Sequence, residues 1–307
     1  MSTGNTPCGI GIPQDLLEPS GNMQPIRDFV KRAETLNYDS LWVTESILGR
    51  TLVLEPVSIL SYVAALTERL RLGVAVVLLT LRNPVQLAKS FASLDLMSQG
   101  RLDVGVGMGG HVPEEKFGYT SKGRVRRFEE ALQVMKTLWT EPEASFSGTF
   151  WDFEGISMKP RPVQQPHPPI WFGARVPAAL KRAVKYGDAF MGAGSSSSAD
   201  FVTQYSLIQQ YLEEADRDPT TFKISKRVYL AVDPNHNQAE QRLREWFGAR
   251  YGRPEMAAQV AIWGSRDEVL DKLGELVQAR AQHLLLDPVY NLTEHLNLLA
   301  EEIVPHL

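Results

Sequence analysis

The chain has 307 residues, a hydrophobic fraction of 43% and a formal charge of −4. This length and apolar content allow a large core, and the acidic balance argues against nucleic acid as the main partner. Cys8 is the only cysteine, which excludes an intrachain disulfide and gives no thiolate metal site. The first residues are polar without a signal-peptide core, and no apolar run reaches membrane-spanning length. A soluble, cytoplasmic protein with no membrane contact is expected.

In chain order, apolar runs predict strands at 9–13, 40–45, 72–79, 102–107, 169–173, 188–193, 224–232 and 284–287. Helical patterns fall between them at 25–36, 56–67, 84–98, 124–140, 177–186, 200–215 and 239–250, with two more at 266–279 and 292–303. Strands each followed by a helix are what a closed (β/α)₈ TIM barrel needs, and no linker composition divides the chain. The fold class expected is therefore α/β, one barrel domain over 1–307. It carries two insertions: a hairpin near 143–167 with a turn at Gly148, and an extended connection at 251–265.

The segment 71–110 is the most informative. Val74 to Leu79 reads as a strand covered on both faces. Asn83 is placed to cap the next helix, Pro84 fits its first turn, and Leu87, Phe91 and Leu94 form its apolar stripe. Gly100 is expected to end it, before a strand that finishes in glycines. Gly105, Gly107 and Gly110 fit a dinucleotide-binding template, but a loop beginning at His111 follows where that template needs a helix. Three strands precede it, and no acidic residue closes a following strand about 20 residues on. Glycines at a strand end instead let a flat ligand approach the backbone, or simply form a tight barrel corner.

Two further strand ends suit an anion. Gly173-Ala174-Arg175 leads into a helix at Pro177, which puts free amides beside a guanidinium. Gly192 to Ser198, including Gly194, Ser195 and Ser196, offers more amides and hydroxyls. The plainer alternatives are a flexible polar loop and an Arg175 paired with a surface carboxylate. Arg124, Arg126 and Arg127 read as one solvated helix face.

Several ordered pieces of the chain resemble the luciferase-like monooxygenase family. They are Ser40-Leu-Trp-Val-Thr-Glu45, Arg71-Leu-Gly-Val-Ala-Val-Val, Arg82-Asn-Pro84 and Leu94-Asp-Leu-Met-Ser-Gln-Gly-Arg101 with the glycines after it. Pro166-His-Pro-Pro-Ile-Trp-Phe-Gly173 and Gly187-Asp-Ala-Phe-Met-Gly192 complete the set. The resemblance implies a (β/α)₈ barrel holding reduced FMN or the deazaflavin coenzyme F420 over its C-terminal strand ends. A non-prolyl cis peptide would fall at Ala75–Val76 and bulge against the ring. Gly107, Met108 and Gly109 would flank that ring. Gly173, Ala174, Arg175, Gly194, Ser195 and Ser196 would hold the phosphate end.

Many relatives read acidic-His after strand two and Arg-His-Pro after strand three. Here Glu45-Ser46 and Arg82-Asn83-Pro84 stand at those places, so Glu45 and His111 are the remaining acid–base candidates. A buried carboxyl can be tuned for proton transfer, or can simply pair with an arginine or cap amides. The resemblance implies an oxidoreductase that uses F420 for hydride transfer with a small, partly apolar organic substrate. The alternatives are an FMN monooxygenase supplied by a partner reductase and a non-catalytic flavin-binding barrel. A cofactor-free aldolase would need a strand lysine, and only Lys226 offers one. Loops 47–54, 111–122 and 251–265 are expected to line the substrate pocket, with Leu48, Leu52, Phe117, Tyr119 and Trp263. A homodimer is implied as well.

Overall fold

Short runs of Val, Ile and Leu without polar alternation form parallel strands buried on both faces. In the computed structural model, which describes residues 6–14, 21–48, 52–109 and 114–307, the first four are β1 (Cys8–Gly11), β2 (Ser40–Val43), β3 (Arg71–Leu78) and β4 (Leu102–Gly107). After an antiparallel hairpin of β5 (Ala144–Ser147) and β6 (Asp152–Ile156) come β7 (Ile170–Phe172), β8 (Ala189–Gly192) and β9 (Lys223–Val232). The short β10 (Ile262–Gly264) precedes β11 (His283–Pro288). Pairing runs β1-β2-β3-β4-β7-β8-β9-β11 and returns to β1, which closes an eight-stranded parallel barrel. The expected TIM barrel is the observed one.

Helices α1 (Gln24–Thr35), α2 (Pro56–Ala64), α3 (Pro84–Met97) and α4 (Arg124–Thr140) follow the first four strands. The later ones are α5 (Pro177–Tyr186), α6 (Ser198–Glu214), α7 (His236–Tyr251), α8 (Met256–Val260), α9 (Arg266–Gln278) and α10 (Leu292–Leu298). The start of α3 is as its sequence predicts: Asn83 Oδ1 accepts from Val85 N at 3.0 Å and Gln86 N at 3.2 Å. Its stripe of Leu87, Phe91 and Leu94 is buried, and Gly100 follows with φ +80°.

Four details depart from expectation, each for a local reason. Helix α2 stops at Ala64, where the Arg101 guanidinium takes the carbonyls of Ala64 (3.2 Å) and Thr67 (2.8 Å). The last helix passes from α10 into a π-helical turn at Leu299–Ile303. The 251–265 connection holds α8 and the unforeseen β10, which pairs with Leu230–Val232 of β9 beyond the point where β8 pairing ends at Lys226. Arg127 is not solvated: it is buried, donating to Thr120 O at 2.8 Å and lying 3.5 Å from the buried Glu114, which also pairs with Arg124 at 2.8 Å. That cluster ties α4 to the loop after β4, since Arg124 also donates to Met108 O. Only Arg126 has the exposed side chain foreseen for all three.

Trp42, Trp171, Ala189, Met191 and Leu285 fill the barrel interior, the two indoles meeting edge to face at 5.6 Å. Beneath them the Trp42 indole donates to Ser40 Oγ at 2.8 Å, and His283 bridges Ser40 and Ser225 at 3.1 and 2.7 Å. This plug at the N-terminal end leaves the C-terminal strand ends as the face for ligands.

Candidate cofactor and substrate site

The Ala75–Val76 peptide is cis, as the resemblance implied, and the β3–β4 register shifts between Val74 and Val77. Val76 reaches into the space between β4 and β7. A Cβ on Gly107 would lie 2.6 Å from Val76 Cγ2, and one on Gly173 2.9 Å from Val76 Cγ1. Both distances are below carbon–carbon contact, so only glycine fits at either position while Val76 keeps its place.

Over this floor lies a cavity of about 400 Å³. Every expected cofactor residue borders it except Ser196: the floor is Ala75 and Val76, and one wall is Gly107, Met108 and Gly109. Gly173, Ala174 and Arg175 continue the lining from the adjacent β7, and Gly194 and Ser195 complete it after β8. Arg227, Tyr229 and Tyr251, which sequence reasoning missed, line it too.

In the cavity wall Arg175 Nη2 donates to Ser195 Oγ, so the guanidinium is held by a hydroxyl. Ser196 turns inward, its Oγ donating to Ala193 O at 2.8 Å. Beneath it the buried Lys226 Nζ donates to Ala193 O at 2.6 Å and Ser196 O at 2.7 Å, fixing the loop from below. Burial first, and then the charge of Arg175, push the Lys226 ammonium down to about 7.

The acid–base candidates sit differently. Glu45 is almost wholly buried; one carboxylate oxygen pairs with Arg82 and the other accepts from Leu78 N. Arg82 is also bridged to Glu55 at 3.1 Å. Glu45 therefore does what the plainer reading foresaw, pairing with an arginine and satisfying a backbone amide, in a separate recess with Leu81 and Phe117. His111 lies outside the described residues.

A second cavity of about 350 Å³ opens beside the first and shares Arg227 with it. Trp42, Thr44, Leu52, Trp246, Arg250 and Asp287 are among its walls. Arg227 Nε donates to Asp287 Oδ2 at 2.7 Å, and its Nη1 lies 3.5 Å from Ala75 O. Burial is the largest influence on the Arg227 charge and opposes it, but Asp287 together with Tyr229 and Tyr251 holds the guanidinium above its ordinary range. The same guanidinium lies over the Tyr229 ring at 4.9 Å, and the Tyr229 and Tyr251 hydroxyls share a 2.6 Å hydrogen bond.

Of the loop residues expected at the substrate, Leu52 is in this second cavity. Phe117 belongs to the Glu45 recess, Leu48 is exposed, Tyr119 lies under Arg127 at 5.1 Å and Trp263 under Lys272 at 5.6 Å. Trp246 and Arg250 of α7 take the place those aromatics were expected to fill. Among the described residues no group of His, Cys, Asp and Glu could hold a metal, and no helix is long and apolar enough to cross a membrane.

Comparison with known proteins agrees with this architecture. An F420-dependent glucose-6-phosphate dehydrogenase of Kineococcus radiotolerans is 30% identical over 231 residues, covering 72% of this chain and 68% of the relative. The solved monooxygenase RslO1 of Streptomyces bottropensis superposes with a TM-score of 0.79 at 26% identity, covering 98% of this chain and 99% of that one. An F420-dependent secondary alcohol dehydrogenase, solved in complex with an F420–acetone adduct, shares the fold at a TM-score of 0.85, with 19% identity over 99% of both chains. The sequence matches the luciferase-like monooxygenase family over residues 8–283, and the chain belongs to that family.

Proposed function

We propose that the protein is a coenzyme F420-dependent oxidoreductase, transferring hydride between the deazaflavin and a small, partly apolar organic substrate. The observation that carries this reading is the cavity of about 400 Å³ running from the Val76 floor to Arg175 and Ser195. Its lining is rich in glycine and carries a guanidinium and a hydroxyl. Those are the needs of a planar ring bearing an anionic tail. The fit is specific, since side chains at Gly107 or Gly173 would displace the floor.

When bound, the deazaflavin supplies two-electron hydride chemistry. Ala75 and Val76 would support the ring from below, with Gly107, Met108, Gly109, Gly173 and Ala174 packing around it. Arg175, Gly194 and Ser195 hold the anionic end, while Ser196 and Lys226 keep their loop in shape. Arg227, neutralised by Asp287, separates the ring from the second cavity, where the substrate binds. Proton exchange with the substrate falls to His111 or to Tyr251, which borders the first cavity, whereas Glu45 has both oxygens engaged. The protein works as a cytoplasmic homodimer.

The names of relatives support F420 over FMN, because the Kineococcus relative is named as F420-dependent. The monooxygenase RslO1 at 26% identity favours a second reading, an FMN monooxygenase fed by a separate reductase. Titration with F420 and FMN, each oxidised and reduced, separates them. Selective binding of F420, with bleaching of its visible absorbance on turnover, is expected. Selective binding of FMN would transfer the protein to the second reading, and failure to bind either would remove both.

A further inference from the structure

The geometry points to the second cavity as a site for an apolar organic carboxylate, with Arg250 receiving its charged group. This rests on the reading of the neighbouring cavity as the cofactor site, because Arg227 is the wall the two share. A molecule in the second cavity lies against the ring side of the first.

The cavity's walls set the body of the ligand. Phe29, Trp42, Leu52, Val53, Trp246 and Leu292 give it an apolar lining. The uncharged polar side chains there are few, and Gln14 already accepts from Leu54 N through Oε1. A sugar ring has more hydroxyls than these few polar side chains can serve, so some would face indole and leucine without partners, and each unpaired group is costly. The volume of about 350 Å³ lies at the small end of ligand pockets.

The charge of the lining sets the head group. Two guanidinium groups, Arg227 and Arg250, face one carboxylate, Asp287. Arg227 is committed to Asp287 at 2.7 Å. Arg250 meets no carboxylate among the described residues; its Nη2 donates to Thr44 Oγ1 at 3.1 Å and its guanidinium lies 5.4 Å from the Trp246 ring centroid. The ring and the hydroxyl orient the planar fork and leave its remaining N–H groups for a ligand. One uncompensated guanidinium matches a singly charged carboxylate better than a phosphate dianion.

The test uses the full chain, with and without F420, and calorimetric titration of phenylacetate, phenylacetamide and glucose 6-phosphate. Phenylacetate should bind about tenfold or more tightly than its neutral amide, the size expected for one charge-assisted contact. Glucose 6-phosphate should bind no better than the amide. Arg250→Met should abolish the preference for the acid, and Arg250→Lys should retain part of it, while F420 affinity stays that of the wild type in both. Equal affinity for acid and amide, tighter binding of glucose 6-phosphate, or an acid preference that survives Arg250→Met would each overturn the proposal. Loss of F420 binding by the wild type would strike the cofactor reading instead, since the acid–amide comparison is also made without F420.

Discussion

Arg227 of β9, which lines both cavities, forms an ion pair with Asp287 of β11 in the second, Nε to Oδ2 2.7 Å, with both side chains largely buried. The pair fixes the position of a charge that would otherwise stand bare between the two cavities. Arg227→Met leaves Asp287 buried and uncompensated, so it should lower stability by about 3–5 kcal/mol. The double variant Arg227→Met with Asp287→Leu should recover much of that loss. Urea unfolding of the four proteins reads the coupling, and strictly additive losses would show that the two side chains act independently.

The glycine walls give a prediction tied to shape. Gly107→Ala places a methyl 2.6 Å from Val76 Cγ2, and Gly173→Ala places one 2.9 Å from Cγ1. Relief requires Val76 to leave its position in the cavity floor, at a cost of about 1–3 kcal/mol for overpacking. Cofactor affinity should fall in both variants, more for Gly107→Ala, with the fold retained by circular dichroism. Paired replacement by Val76→Ala should restore part of the folding loss. Wild-type affinity in either single variant would mean that the cavity over Val76 is not where the cofactor lies.

Much of this was legible before the structure, and the reason differs by residue. The strands could be read because their apolar runs are buried on both faces, and the start of α3 because Asn83-Pro84 is a local capping signal. Gly173, Arg175 and Ser195, which border the first cavity, could be singled out because they sit where strands end and helices begin. Arg227 and Asp287 could not: they lie 60 positions apart in the chain, and their meeting depends on the β9–β11 register that places Asp287 opposite Tyr229. Trp246 and Arg250 were hidden for a related reason, since helical periodicity does not tell which end of α7 hangs over the barrel mouth. Arg127 misled because its neighbours are charged, whereas Glu114, ten residues upstream of Arg124, draws it into the core. At three residues, β10 is too short to carry a period at all.

Lys226 links pH to the loop after β8, whose Ala193 and Ser196 carbonyls it binds. Its ammonium titrates near 7 in the folded protein because of burial and then Arg175, with Asp200 opposing and Arg227 adding a further lowering charge. Between about 7 and the ordinary lysine value of 10.5, the unfolded chain binds more protons at this position than the folded one. The penalty is therefore full below about 7 and fades as the pH rises towards 10.5. The stability difference between wild type and Lys226→Met should accordingly move in favour of the wild type as pH is raised across that window. A difference that stays flat in urea unfolding at several pH values would show that Lys226 titrates as an ordinary lysine.

Glu45 is the carboxyl whose role the sequence left open, and its environment argues for support rather than proton transfer. It is tied to Arg82 and to the amide of Leu78, the last residue of the strand that carries Ala75 and Val76. Glu45→Gln keeps an acceptor for the amide but loses the charge, and Arg82 retains Glu55 at 3.1 Å. Stability should drop by about 1–3 kcal/mol, the range for weakening a buried charged hydrogen bond. The shape of the pH–rate profile for hydride transfer should stay that of the wild type, with any fall in rate uniform across pH. Disappearance of one limb of that profile in the glutamine variant, with cofactor binding intact, would return Glu45 to the chemistry and make its pairing with Arg82 a feature of the resting protein alone.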